Sequence, residues 1–593
     1  MLAAPCLALL LSLLIAAPAR ADSAVPLAPE TASGLQAKPG WAVKRFAVAA
    51  ANPLAAQAGF QILKRGGSAL DAAIAVQMVL TLVEPQSSGI GGGAFLMLWD
   101  GKTVQAWDGR ESAPAAARPE MFLRPDGRPM TVPEAIVGGL SVATPGVLSM
   151  LAAAHKHNGK LPWAALFEPA IALADDGFPV SPRLYALLAA ERALRQAGQA
   201  GPYFYDEQGQ PRPVGYRLKN PALAAVLRSI ASQGAAAFYS GPIATDMAER
   251  VQGHARPGLL TVADLAAYKP LLRDALCGDW LRYKVCGFPP PSSGQLTMMQ
   301  ILKLIEIKGF AGEALVQRKP GVPWLHLYTE AARLAFADRA QYIADPAYVT
   351  PPAGDWQSLL DAGYLRQRAA LIGAMSMKTA AAGQPGGAKL GQAAQAEQPE
   401  FGTSHISIVD AEGRAVAMTT SIESGFGARI MSDGGTGLAG GFLLNNTMTD
   451  FSMAPTGIDG LPVANRAEPG KRPRSSMSPT LVFEGGQGGR LLMSVGAPGG
   501  PAIIHFTAKT LIASLAWGLN LQEAVDLPNF GSFNGPTILE QGGFTPATAA
   551  GLRALGHQVY EVELTSGLQG IQRTPTGWFG AADPRREGVV KGE

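Results

Sequence analysis

Thr403 stands at an abrupt junction. Before it, Ala380 to Pro399 is rich in Ala, Gly and Gln; from it, Thr403-Ser404-His405-Ile406-Ser407-Ile408-Val409 is β-branched and alternating. A tract of the first kind buries too little apolar surface to order itself, so it reads as a flexible linker and Thr403 as the first residue of a strand. Cleavage of the Gly402-Thr403 bond would give Thr403 a free α-amine, whose ordinary pKa of about 7.7–8.0 lies close to neutrality. That amine can take the proton of its own side-chain hydroxyl, directly or through water, so nucleophile and base share one residue. The competing reading of the same residues is a structural threonine that opens a strand.

Other chemistry is missing or out of order. The chain has no G-x-S-x-G elbow, no G-x-x-x-x-G-K-[ST] loop, no H-E-x-x-H and no C-x-x-C. Its seven histidines do not pair at metal-ligand spacing, so no zinc is expected. Gly89-Ile90-Gly91-Gly92-Gly93-Ala94 satisfies G-x-G-x-x-A literally. A dinucleotide loop needs strand, loop and helix in that order, whereas here a helical stretch precedes and a strand-like Ala94 to Trp99 follows, so no dinucleotide cofactor is expected. Cys277 and Cys286 are spaced symmetrically about Leu281-Arg282. A hairpin with a two-residue loop would set the sulfurs opposite one another, and an oxidising compartment would permit a disulfide; two buried thiols are the alternative.

Elements must position these groups, and composition says what kind. Charged residues are 16% of the chain, against roughly 25% in typical soluble domains, and apolar residues are 47%, which excludes disorder of the whole chain. With 70 Gly and 46 Pro, tight turns are expected instead of a helical bundle. A net charge of +3 without a basic cluster gives no footprint for nucleic acid and favours small substrates. Helical stretches are expected from Asn52-Pro53 to Gly66-Gly67, from Ser68 as a cap to Val83, and over Pro145 to His155, Trp163 to Asp176, Pro221 to Gln233, Leu325 to Ile343 and Pro501 to Ala516. Strands are expected over Arg414 to Ile422, Pro479 to Phe483 and Arg490 to Val495. His405 and His505 read as packing residues. Residues 1–21, with an apolar core from Leu7 to Ala17 ahead of Ala19-Arg20-Ala21, have the form of a secretory signal, although only the terminal amine charges its start and an uncleaved anchor is the alternative. No later apolar run reaches the length of a membrane span; export to the periplasm or the extracellular space is expected.

Four blocks around the junction, PEFGTSHISIVDAEGRAVAMTTSIESGFGARI, GGFLLNNTMTDFS, KRPRSSMSPTLVF and GAPGGPAII, resemble the small subunit of γ-glutamyltransferases, members of the N-terminal nucleophile hydrolase superfamily. Upstream, ANPLAAQAGFQILKRGGSALDAAIAV, VEPQSSGIGGGAFLML, WDGRESAP, ATPGVL, LPWAALFEPAIALADDGFPVS and GFPPPSSG resemble the large subunit, and GAADPRREG resembles the family's ending. The resemblance implies an α/β fold, a four-layer α/β/β/α sandwich of two stacked, mainly antiparallel sheets between helical layers. It implies self-cleavage at Gly402-Thr403 into a large subunit, 22–402 with a flexible tail from about 374, and a small subunit, 403–593, forming one intertwined heterodimeric domain. Implied too is transfer of the γ-glutamyl group of glutathione-like donors, through a Thr403 acyl-enzyme, to amino acids, peptides or water, with no cofactor or metal.

The same resemblance assigns roles. The N–H groups of Gly499 and Gly500 match the oxyanion hole, and Arg110 matches the fork for the donor's α-carboxylate. Ser475 and Ser476 match hydroxyls on that carboxylate, and Asp450 matches the partner of the α-ammonium. Departures accompany these matches. Glu423 stands where many members have Asn. Ser421 replaces a threonine that contacts the nucleophile, keeping the hydroxyl but losing a methyl, so a looser Thr403 is expected. Thr447 replaces a longer Gln or Glu near the ammonium. Arg474 replaces leucine and is expected to add positive charge near the carboxylate. Phe451 to Lys471 is long enough for a lid. Glu423 and the Ser-Gly after it also resemble cephalosporin acylases, whose glutaryl group has a carboxylate but no amine. A glutaryl acylase is therefore one alternative function, and an inactive exported binding protein a second.

Overall fold

The computed structural model describes residues 32–310, 312–388, 391–399, 402–485 and 489–593; the expected signal segment, 1–21, lies outside the described residues. Strand alternation gives each central strand two different faces. In Thr403–Val409, Ile406 and Ile408 join an apolar cluster with helices, while His405 and Ser407 point to the opposite side. In Thr480–Glu484, Val482 faces another helical layer and Leu481 and Phe483 face inward.

Two seven-stranded antiparallel sheets result. One runs in the order Val589–Gly592, Ala47–Ala50, Thr403–Val409, Ala415–Ser421, Gly93–Trp99, Val104–Gly109, Leu271–Asp274. The other runs Trp41–Val43, Gly577–Ala582, Gln569–Thr574, Arg490–Gly496, Thr480–Glu484, Tyr283–Gly287, Leu276–Trp280. Between them lies a core that includes Ala49, Phe95, Met97, Ala417, Leu481, Phe483 and Ile571. Helices Pro53–Lys64 and Ala69–Val83 cover the first sheet, and Gly294–Lys308, Val322–Tyr342 and Ala502–Leu511 cover the second. The architecture is thus an α/β/β/α sandwich of the N-terminal nucleophile hydrolase type. Each sheet takes strands from both sides of residue 402, so ladder hydrogen bonds and a shared core tie the two halves together.

Local signals account for the element ends. Ser68 and Asp71 form a capping box, with Asp71 N–H on Ser68 Oγ at 3.1 Å and Ser68 N–H on Asp71 Oδ2 at 2.9 Å. Ala69–Val83 is buried all round, as an apolar helix without a polar face must be. The stretch expected as one helix over Trp163 to Asp176 is instead a 3₁₀ turn, Trp163–Leu166, followed by Glu168–Asp176, because Pro169 has no N–H to give the Ala165 carbonyl that a continuous helix would require and is tolerated only in a first turn. Pro501 to Ala516 is helical as Ala502–Leu511 and then widens into a π turn, Ile512–Ala516. Cys277 and Cys286 face each other across the hairpin around Leu281-Arg282 and are joined as a disulfide.

The tract before Thr403 differs from expectation. Ala393 N–H donates to the Pro462 carbonyl at 2.9 Å and Gln395 N–H to the Ala340 carbonyl at 3.0 Å. Gln398 Nε2 donates to the carbonyls of Thr449 and Phe451, at 2.9 and 3.0 Å. Apolar burial is scarce in this tract, and glutamine amides and backbone groups hold residues 391–399 in place instead.

Candidate active site

Thr403 begins its strand, and antiparallel register sets it opposite Ser421, the last residue of Ala415–Ser421. Its Oγ1 lies 3.5 Å from Ser421 Oγ, a loose contact at the outer limit of hydrogen bonding. Ser421 Oγ donates to the Gly402 carbonyl at 2.5 Å and accepts from the Glu423 amide at 2.8 Å. One hydroxyl therefore polarises the carbonyl of the bond that would be cut. The glycine run is explained here as well. A Cβ on Gly92 would overlap the Ser421 carbonyl, and one on Gly93 would overlap the Glu111 carboxylate, so the run permits close strand approach.

A buried cavity of about 20 Å³ opens in front of Thr403, lined by Arg110, Thr403, Ser421, Glu423, Asp450, Ser475, Ser476, Met477, Gly500 and Ile503. Arg110, 1% exposed, follows Val104–Gly109 and pairs through Nη2 with Asp450. The same guanidinium meets Glu111 at 3.3 Å and donates to the backbone carbonyls of Pro473 and Arg474, each at 3.2 Å. Asp450 closes the short turn Thr447–Asp450. Glu423 is held by Ser424 Oγ at 2.5 Å and Asn446 Nδ2 at 2.9 Å, both on Oε2. Gly499 and Gly500 adopt φ of 130° and 55°, a region side chains avoid, just ahead of Ala502–Leu511. Such a position at a helix N-terminus suits developing negative charge.

Two expected residues sit elsewhere. Thr447 does not line the cavity: its Oγ1 donates to Glu111 Oε1 at 2.8 Å behind Arg110. Full burial pushes the Glu111 carboxyl up, against the opposing pull of Arg110. The Arg474 guanidinium is directed at the Arg339 carbonyl, at 3.3 Å, and only its backbone meets Arg110. Gly499 borders the cavity through its neighbour Gly500, without lining it. His405 is buried between the sheets on Thr419 Oγ1 at 2.9 Å and Ser407 Oγ at 3.1 Å, and His505 on Tyr328 Oη at 3.0 Å. Burial lowers both imidazoles to a pKa of about 3.

A sequence model of the family described as gamma-glutamyltranspeptidase matches residues 55–593. The chain belongs to the gamma-glutamyltranspeptidase family. It is 36% identical to the glutathione hydrolase proenzyme of Escherichia coli (strain K12), over 95% of this chain and 94% of that one. The glutathione hydrolase proenzyme of Bacillus subtilis (strain 168) is 34% identical, over 92% and 91%. Among solved structures, cephalosporin acylase from Bacillus halodurans superposes with a TM-score of 0.80 at 28% identity, over 95% of this chain and 99% of that one. The gamma-glutamyltranspeptidase family thus supplies an N-terminal nucleophile hydrolase framework.

In this transpeptidase-family chain the sequence reading missed several site residues. Met477 and Ile503 follow Ser476 and Gly500 closely, so adjacency was an available signal. Asn446 lies in the quoted block beside Thr447. Ser293 lies in the block GFPPPSSG, but its contact with Ser475 spans 182 residues, and Arg339, which meets Ser476 across 137 residues, lies in none of the matched blocks. Histidines also meet where linear spacing predicted none: His326, Glu330 and His557 gather with their ligand atoms within 4.8 Å. His326 Nδ1 and His557 Nε2 share a hydrogen bond of 2.7 Å, His326 Nε2 is on the Gly373 carbonyl at 2.9 Å, and Glu330 pairs with buried Arg333 at 2.5 Å. These groups use one another as partners, and a buried guanidinium already neutralises the carboxylate.

Proposed function

We propose that the chain is an exported, self-processing γ-glutamyltransferase and glutathione hydrolase. The observation that carries this reading is the convergence, in one cavity, of Thr403 with a carboxylate-binding set (Arg110, Ser475, Ser476) and two carboxylates (Glu423, Asp450). In the uncleaved chain, Thr403 Oγ1 attacks the Gly402 carbonyl carbon while the Ser421 hydroxyl stabilises the growing oxyanion. The C–N bond breaks as the hydroxyl proton passes to the Thr403 nitrogen, an ester links Gly402 to Thr403 Oγ1, and water hydrolyses it, leaving a Gly402 carboxylate, a free Thr403 amine and the Thr403 hydroxyl. Residues 22–402 and 403–593 then remain associated as a heterodimer through the shared sheets.

In the processed enzyme the Thr403 amine accepts the proton of its own hydroxyl. Thr403 Oγ1 attacks the donor's γ-carbonyl, and the N–H groups of Gly499 and Gly500 hold the oxyanion. The leaving amine takes the proton, and an amino acid, peptide or water removes the γ-glutamyl group from Thr403. Arg110 and the serine pair bind the donor's α-carboxylate, Glu423 and Asp450 its α-ammonium.

A glutaryl acylase is the second reading, favoured by the likeness to cephalosporin acylase and by the turn of Thr447 away from the cavity. Two lining carboxylates beside a single lining guanidinium suit a donor that brings an ammonium as well as a carboxylate. Export is supported by the Cys277–Cys286 disulfide, which suits an oxidising compartment, and among the described residues no helix is long and apolar enough to cross a membrane. Intact mass spectrometry together with rates on γ-glutamyl- and glutaryl-p-nitroanilide tests the proposal. Expected are chains starting at Asp22 and Thr403 and a preference for the γ-glutamyl donor. A stable single chain would favour the inactive binding protein, and a glutaryl preference the acylase.

A further inference from the structure

The serine pair that lines the cavity rests on a second buried cation. Arg339 projects from helix Val322–Tyr342 and is 2% exposed. Its Nη2 donates to Ser476 Oγ at 2.6 Å and its Nε donates to Ser293 Oγ at 2.9 Å. Ser293 in turn donates through both its N–H, at 2.7 Å, and its Oγ, at 2.8 Å, to the Ser475 carbonyl. Ser292 Oγ completes the bed by donating to the Met477 carbonyl at 2.7 Å. The guanidinium is itself fixed: Phe336, one turn earlier, lies beneath it with 5.5 Å from Cζ to the ring centroid.

We infer that Arg339 is a positioning residue for recognition of the donor's α-carboxylate, acting through Ser476 directly and through Ser293 on Ser475; this rests on the γ-glutamyl reading of the cavity. The physical argument is one of donors and acceptors. A guanidinium has no acceptor, and a serine hydroxyl has one proton and two lone pairs. With Arg339 donating to Ser476 Oγ, that oxygen is the acceptor of this bond, so the Ser476 proton is directed away from the guanidinium and the hydroxyl is oriented to act as a donor on its other side, where the cavity lies. The cation behind the hydroxyl also makes that proton a stronger donor. Arg110 therefore binds the carboxylate by direct contact, whereas Arg339 contributes its charge through a hydroxyl. Helix Val322–Tyr342, remote from Thr403 in sequence, becomes part of the specificity of the site.

The test compares γ-glutamyl-p-nitroanilide with 4-aminobutyryl-p-nitroanilide, which keeps the amine and lacks the carboxylate. Self-cleaved wild type, Arg339→Gln, Arg339→Lys, Ser476→Ala and the double variant Arg339→Gln/Ser476→Ala are assayed. Arg339→Gln is expected to raise KM for the γ-glutamyl donor by ~10-fold, the scale of one charge-assisted hydrogen bond, with a much smaller change in kcat. The preference for the carboxylate-bearing donor falls by a similar factor, Arg339→Lys recovers part of it, and in the Ser476→Ala background the Arg339 effect is smaller, because only the route through Ser293 to Ser475 remains and coupled residues do not add. Equal losses on both donors, or full additivity with Ser476→Ala, would overturn the inference and leave Arg339 a purely structural cation. Should Arg339→Gln fail to fold, Arg339→Lys and Ser293→Ala carry the same donor comparison with the same two outcomes. Failure of the γ-glutamyl reading itself is seen separately, as a wild type that does not prefer the γ-glutamyl donor.

Discussion

Two buried polar clusters in this chain make an instructive pair. The first, around Thr403, gathers Arg110, Glu423, Asp450, Ser475 and Ser476 about a cavity. The second gathers His326, Glu330, Arg333, Thr537 and His557 between helix Val322–Tyr342 and the strands behind it. In the second the hydrogen bonds close on the cluster itself: Arg333 donates to Thr537 Oγ1 at 2.9 Å, Thr537 Oγ1 bonds His557 Nδ1 at 2.8 Å, and His557 bonds His326 at 2.7 Å. In the first, Arg110 pairs with Asp450 and Glu111, and Glu423 is held by Ser424 and Asn446, but these groups also line a cavity beside Thr403. Polar groups packed only against one another hold the fold, whereas polar groups that line a cavity can exchange their partners for those of a ligand.

The contrast is testable from its strongest effect downward. Thr403→Ala is expected to abolish self-cleavage and turnover together, since one atom serves both; gel electrophoresis and donor hydrolysis read the two, and turnover without cleavage would break the assignment. Ser421→Ala is expected to slow self-cleavage by ~10²–10³-fold, the usual cost of losing one oxyanion donor, with Ser421→Thr restoring it; a time course of precursor decay measures this. Arg110→Ala is expected to leave self-cleavage nearly intact while raising KM for carboxylate-bearing donors by ~10–100-fold, the range for hydrogen bonds to charged groups. Equal loss of processing would move Arg110 to the structural side of the comparison.

The smallest effect belongs to the closed cluster. Burial, reinforced by the Arg333 and His326 charges, lowers His557 to a pKa of about 3, below its ordinary value of about 6.5. As pH falls from 6.5 towards 3 the unfolded chain takes up a proton that the folded imidazole refuses, so stability contributed at neutral pH declines across that window. His557→Gln is expected to flatten this acid limb in urea titrations and to leave KM unchanged. A KM change would mean that the two clusters communicate.

The sequence made much of this legible, and unevenly. Thr403 at a junction of compositions, the alternation of Thr403–Val409 and the symmetric cysteines are short-range features, and each appears in the structure at the expected place. Arg110, Asp450 and the serine pair entered through resemblance, and the cavity joins them. Thr447 and Arg474 were assigned by position in the motif, but rotamer and packing turned them toward Glu111 and Arg339. The tract before Thr403 was judged by its lack of apolar residues, and its glutamines anchored it instead.

What the sequence by itself determined is local: periodicity that commits a segment to strand or helix, the Ser68 capping box, glycines where backbones approach. These depend on dihedral preference and neighbours a few residues away. Only the tertiary structure decided which polar groups share a space, because Arg110 meets Asp450 across 340 residues and Arg339 meets Ser476 across 137. Such encounters are set by the stacking of two sheets and the helix behind them, and the side chains take whatever partners that packing leaves within reach.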